Sequence, residues 1–166
     1  MALSLMNIVT AAGALGSAVV GGVYTNFSLR IMPRLARLPE VEGITTMQQF
    51  NRVALQAPFL TAFFGTAIVS IAKVVTTLAK QDRTTGDLTA MAGGGLYLAG
   101  FVLTIVYNVP RNEQLAAITA GTAEGTQVWR MYLTEWTPAN SVRGVLSILG
   151  ALGLGIGALL SISAAD

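Results

Sequence analysis

Four stretches without a single charged residue limit what this chain can become: Ala2 to Leu29, Val53 to Ala72, Leu88 to Pro110 and Gly144 to Ala165. A helix rising about 1.5 Å per residue needs about 20 mostly apolar residues to cross a bilayer, and each stretch meets that length. The fold predicted is therefore all-α, an integral membrane four-transmembrane-helix bundle with short loops. It forms one membrane domain over residues 1–166, with spans at roughly 4–29, 53–76, 88–109 and 139–164.

Composition agrees with this reading. Only 11% of the residues are charged against about 25% in an ordinary soluble domain, and mean hydropathy is +0.63. The net charge of +2 comes with no basic block of the kind that grips phosphates, so no nucleic-acid partner is expected. Cysteine and histidine are both absent. That excludes disulfides, thiolate catalysis, iron–sulfur ligation, histidine-held metals and a histidine base. No lysine or arginine precedes the first apolar run, so it reads as a retained span rather than a secretory signal.

Small residues recur at helical spacing along the spans. Gly13, Ser17 and Gly21 mark the first, Gly93, Gly94, Gly95 and Gly100 the third, Gly153 and Gly157 the fourth. Such rows let backbones approach closely where lipid gives helices no hydrophobic reason to associate. Packing within the chain is expected, in preference to a homodimer seam.

Polar chemistry gathers elsewhere, in the segment from Tyr107 to Arg143. It holds both tryptophans, two of five prolines, three arginines and three asparagines. With four spans, this segment and the connection from Arg30 to Arg52 share one membrane face, predicted to carry a polar cap over the bundle. There Arg30, Arg34 and Arg37 lie on one face of a helix running past the first span, with Pro33 expected to kink or break it. Gln48, Asn51 and Arg52 fall within a turn of each other, and Pro58 is expected to kink the start of the second span. The other face receives a polar turn around Gly86, with Lys73 either opening that loop or snorkelling to the interface. Seven Lys and Arg lie on the cap side against three opposite, so the positive-inside rule puts the cap in the cytoplasm and both termini outside.

Each polar residue on the cap has two readings. Asn108 and Asn112, four apart around Pro110, either satisfy a frayed helix end or present amide groups to a ligand. Trp129, Tyr132 and Trp136, at i, i+3 and i+7, form either an interfacial belt or an apolar ligand wall. Thr137 and Pro138 read as the N-cap and first residue of the fourth span, placing Asn140 and Arg143 on adjacent turns that face alike.

In their order and spacing these residues resemble a group of small four-span membrane proteins, the anthrone oxygenase-like family with its related domain of unknown function. The resemblance covers nearly the whole chain. It rests on Gly22–Phe27 with Arg30-Ile-Met-Pro33, Met47-Gln-Gln-Phe-Asn51, Asn108-Val-Pro110 with Asn112, and Trp129, Tyr132, Trp136-Thr, Asn140 and Val142-Arg143. The resemblance implies a cofactor-independent monooxygenase of aromatic polyketide biosynthesis that converts an anthrone methylene to a quinone carbonyl. It would make Asn108, Asn112, Asn140 and Arg143 the catalytic donors to a developing oxyanion. Arg30, Gln48, Asn51 and Arg52 would assist in substrate binding, with Trp129 and Trp136 stacking on the rings.

One departure stands out. Where many relatives carry a histidine after the asparagine of the fourth span, this chain has Ser141, and a serine is no base without an activating partner. Glu113 and Glu135 are the acidic substitutes, each also readable as an exposed loop charge. The rival expectation is a non-catalytic membrane protein that binds a lipid or flat hydrophobic ligand, or an accessory subunit of a larger complex. Neither reading calls for a cofactor or metal, and a homo-oligomer stays open. A transporter is disfavoured because no charge is expected deep in a span.

Overall fold

The Ser4 hydroxyl accepts a hydrogen bond from the Asn7 N–H at 3.2 Å and starts the first helix, α1, Leu5–Leu35. The computed structural model describes residues 4–54 and 56–163, so Leu55 and the outer ends of the first and fourth charge-free stretches lie outside the described residues. Four more helices follow among the described residues: α2 Glu40–Ala54, α3 Ala57–Ala79, α4 Thr85–Ala117 and α5 Ala123–Ser163. Among the described residues there is no strand. α1, α3, α4 and α5 are each long and apolar enough to cross a membrane.

The helices outrun the apolar stretches because prolines fail to stop them. Pro33, Pro110 and Pro138 each follow, by two residues, the end of a widened π turn: Phe27–Ile31, Thr104–Asn108 and Tyr132–Trp136. A proline ring collides with the carbonyl four residues back. One extra residue in the turn moves that carbonyl aside, so the Met32 N–H bonds to the Phe27 carbonyl and the Val109 N–H to that of Thr104. Of the kink or break expected at Pro33, the break is absent: the chain forms a bulge within a continuous helix. The N-cap expected at Thr137 is also corrected: α5 begins at Thr122, whose hydroxyl accepts from the Gly125 N–H at 3.0 Å. Pro58 sits in the first turn of α3, where its missing N–H costs nothing, and starts the helix rather than kinking it.

α5 is the spine, packed along α1 on one side and α4 on the other. Glycine makes the second contact possible. A Cβ on Gly93 would lie 2.5 Å from the Leu154 nitrogen, and one on Gly157 would lie 2.5 Å from the Ala90 nitrogen. On α1, the Ser17 hydroxyl donates to the Ser147 carbonyl at 2.6 Å, and Gly21 fits against Ile148. The small-residue rows thus face partners within the chain, while Gly95 faces open space.

At the cap end, α2 lies across the extensions of α1, α4 and α5. Met32, Ile44, Met47, Leu115, Trp129 and Tyr132 form a buried apolar core beneath the polar surface. Gln48 Nε2 donates to the Leu115 and Ile118 carbonyls at 2.8 and 3.1 Å, closing the C-terminal end of α4.

The opposite end differs from expectation. Lys73 neither begins a loop nor snorkels: it is 5% exposed inside α3, and its Nζ lies 2.8 Å from Asp87 Oδ1. Lys80 pairs with the other carboxylate oxygen at 2.8 Å, and Thr84 and Asp87 form a capping box that starts α4. Gly86 is part of that first turn, held against Gly157 and Ser161, and not a loop residue.

Candidate functional site

Between α3 and its neighbours, just inside the cap, lies a cavity of about 590 Å³. All three proline-directed π turns contribute to its wall, through Phe27 and Ile31, Thr104 and Ile105, and Trp136. Widening each turn pushes side chains away from regular helical register, which is how the ends of three helices can surround a space instead of filling it. Most of the wall is aromatic or aliphatic. Phe59 and Phe63 stack at 6.0 Å between ring centroids, and Phe63 and Phe101 at 4.5 Å.

One pole of this cavity is polar. Arg143 is 5% exposed and is the only charged residue on the wall among the described residues. Its guanidinium lies 4.0 Å above the Tyr24 ring and 5.2 Å from that of Trp136. Nε and Nη2 donate to Asn140 Oδ1 at 3.1 and 2.7 Å, and Nη1 reaches Thr104 Oγ1 at 3.4 Å. Asn140 is itself fixed: Nδ2 donates to the Tyr24 carbonyl and to Ser28 Oγ, both at 2.7 Å. Its two amide protons are thereby taken, and its place on the wall serves to aim Arg143.

The other asparagines divide by role. Asn108 is fully buried behind the wall, donating through Nδ2 to the Trp136 carbonyl at 3.3 Å. Asn112 lines the cavity and accepts from the Tyr132 hydroxyl at 2.8 Å. Asn51 also lines it, beside that hydroxyl, and its Nδ2 makes no hydrogen bond. The indole Nε1 of Trp136 is likewise a buried donor without an acceptor. A buried guanidinium at one end of an apolar chamber makes a place for a ligand oxygen.

The remaining sequence candidates lie away from the cavity. Arg30 and Arg52 are exposed, Gln48 caps α4, and Trp129 is buried in the cap core, stacked on Tyr132 at 5.9 Å. The tryptophans thus form an inward stack rather than a belt. Glu113 is exposed, and Glu135 pairs with Arg111 at 2.5 Å beside a separate cavity of about 200 Å³. Ser141 bonds to Ser28 Oγ at 2.9 Å and to the Thr137 carbonyl at 3.0 Å, outside the wall. Charge deep in a helix, which the sequence reading ruled out, is present at Arg143 and Lys73.

Sequence reasoning missed Tyr24, Phe27, Phe59 and Phe63. Inside charge-free runs they look like ordinary core; only the run of aromatics beside Pro58 was a signal.

The fold and site define a class: a helical protein with four membrane-length helices among the described residues and a one-sided aromatic chamber with a buried guanidinium at one pole. Within that class, a family model described as anthrone oxygenase matches residues 50–153, more than half of the chain, and the protein belongs to that family. The match takes in Asn51, Asn112, Trp136, Asn140 and Arg143, and leaves Tyr24 and Ser28 outside. No curated protein and no solved structure matches the chain.

Proposed function

We propose that this protein is a cofactor-independent membrane monooxygenase that oxidises an anthrone-like aromatic polyketide to the quinone. The observation that carries the proposal is Arg143, buried without a carboxylate partner among the described residues at the end of an aromatic cavity in a member of this family. A tricyclic ring system suits the phenylalanine walls, its carbonyl oxygen directed at Arg143.

Loss of one methylene proton leaves an enolate whose charge rests on that oxygen. Donors already in place there stabilise it more than they stabilise the neutral ketone, which raises the fraction of substrate present as the oxygen-reactive enolate. The enolate gives one electron to dioxygen, and the resulting radical and superoxide join at the methylene carbon. The peroxide takes up a proton, then loses water using the remaining hydrogen on that carbon. In sum, substrate and dioxygen yield quinone and one water.

In this reading Arg143 is the catalytic residue and Asn140 positions it. Asn112 and Asn51 meet the ligand edge, and Asn108 holds the Trp136 backbone. Arg30 and Arg52 serve the interface, while Gln48 and Trp129 hold the cap together. The chain is one membrane domain with both termini on the face away from the cap, and the excess of Lys and Arg puts the cap in the cytoplasm.

A second reading is favoured by one observation: the cavity wall carries neither carboxylate nor histidine among the described residues. On that reading the protein binds a lipid or flat hydrophobic ligand without reaction, or serves a larger membrane complex. Oxygen uptake by protein-bearing membranes with a hydroxylated anthrone, set against empty membranes, separates the two. A rate above background that Arg143→Ala abolishes supports the oxygenase. A rate equal to background leaves the binding role.

A further inference from the structure

We infer that the cavity selects its ligand as a preformed oxyanion, a flat polycyclic phenolate or enolate whose proton is lost to interfacial water before entry. This deepens the oxygenase reading and rests on it for the identity of the natural ligand. It also removes the need for a base.

Arg143 carries the inference. A guanidinium has five N–H donors, and three are used here, all on neutral acceptors: two on Asn140 Oδ1 and one on Thr104 Oγ1. Two remain. No Asp or Glu approaches it within 4.0 Å among the described residues. A charge buried in a helical bundle without a counter-ion is destabilising, and an anionic ligand removes that penalty where a neutral one cannot.

Nothing nearby competes for the role of anion or base. The titratable groups facing Arg143 are Tyr24 on α1 and Tyr132 on its own helix. α2 and α4 offer the wall only neutral groups, Asn51, Thr104 and Asn112, and α3 mainly phenylalanines. A phenol with an ordinary pKa near 10 stays neutral at physiological pH. The positive charge is left for the ligand.

The test uses a ligand that cannot be oxidised at a methylene: 2-hydroxyanthraquinone, whose phenolate absorbs at longer wavelength than the phenol, against its methyl ether, which cannot ionise. The full chain in lipid nanodiscs is titrated with each probe below the pH at which the free phenol ionises. Spectra are compared with those in empty nanodiscs, where partitioning favours the neutral form and so moves the probe the opposite way. We expect the bound probe to show the phenolate band, with a preference over the ether of about tenfold or more, the least that an adjacent cation confers. Arg143→Gln should return the bound spectrum to the phenol, and Arg143→Lys should keep part of the phenolate band. Circular dichroism and monodispersity show that both variants fold, and the wild-type comparison of phenol with ether stands without them.

Equal binding of phenol and ether, a neutral spectrum for the bound phenol, or no binding of either probe overturns the inference. Phenolate binding without oxygen uptake on an anthrone supports the anion site and sinks the oxygenase. Oxygen uptake with neutral binding does the reverse, and would turn attention to Tyr24 as the group that moves the proton.

Discussion

Asn140 holds Arg143 from one helical turn away, its Oδ1 accepting from Nε at 3.1 Å and Nη2 at 2.7 Å while its Nδ2 ties both to α1. Asn140→Ala removes these bonds and frees a buried carbonyl, at a cost of about 1–3 kcal/mol in stability. Asn140→Asp instead places a carboxylate against the guanidinium. It also loses the Nδ2 bonds, so a stability cost like that of Asn140→Ala is expected, but it alone should neutralise Arg143 and remove the phenolate band of a bound hydroxyanthraquinone. Thermal unfolding in detergent and the bound-probe spectrum measure the two effects.

Pro110 is expected to set the register of the wall. With Pro110→Ala the Thr104–Asn108 turn can close to ordinary α geometry, rotating Asn112 relative to Thr104. A misplacement of about 1 Å costs about 10²-fold in rate. Oxygen uptake should fall on that scale while the melting temperature holds, and an unchanged rate would show that the π turn does not place the site.

The α4–α5 seam should tolerate no added methyl group. A Cβ at Gly93 meets the backbone of Leu154 at 2.5 Å, so Gly93→Ala should destabilise by about 1–3 kcal/mol or separate the helices. Gly95→Ala meets nothing within 4 Å and should be neutral or slightly stabilising. Paired melting curves check the contrast.

Asp87 joins α3 to α4 through Lys73 and Lys80. Asp87→Ala strands a buried ammonium and should cost about 3–5 kcal/mol. Combining it with Lys73→Met should recover much of that loss. A double variant no more stable than Asp87→Ala alone would mean the ion pair is not what holds this end.

Glu113 and Glu135 lie off the main cavity. Glu113→Gln and Glu135→Gln should each leave the rate of anthrone oxidation within twofold of the wild type. A large loss from either would identify the base that the cavity wall lacks.

Much of the architecture was legible because a bilayer imposes it. A run of about 20 residues without charge has one economical conformation in lipid, so the four helices and the shared face of the cap follow from where Arg30, Arg52, Arg111 and Arg143 interrupt the runs. The pairing of Asn140 with Arg143 was also readable, since three residues bring side chains together on a helix. Helix ends were misread at Thr137 and Gly86 because proline and glycine signal breaks locally, and the local signal lost. A π turn absorbed the first, and close packing against Gly157 gave the second its purpose.

The sequence by itself determined the number of membrane-length helices, the face that holds the polar groups, and the exclusion of thiol, histidine and metal-thiolate chemistry. Only the tertiary structure decided which polar groups face a cavity. Arg30 and Arg143 are the same residue type at the edges of similar runs, yet one is exposed and the other closes an aromatic chamber. The difference comes from contacts distant in sequence: Tyr24, Thr104 and Asn140 surround Arg143 from three helices, and no local pattern encodes which side chains meet across a bundle.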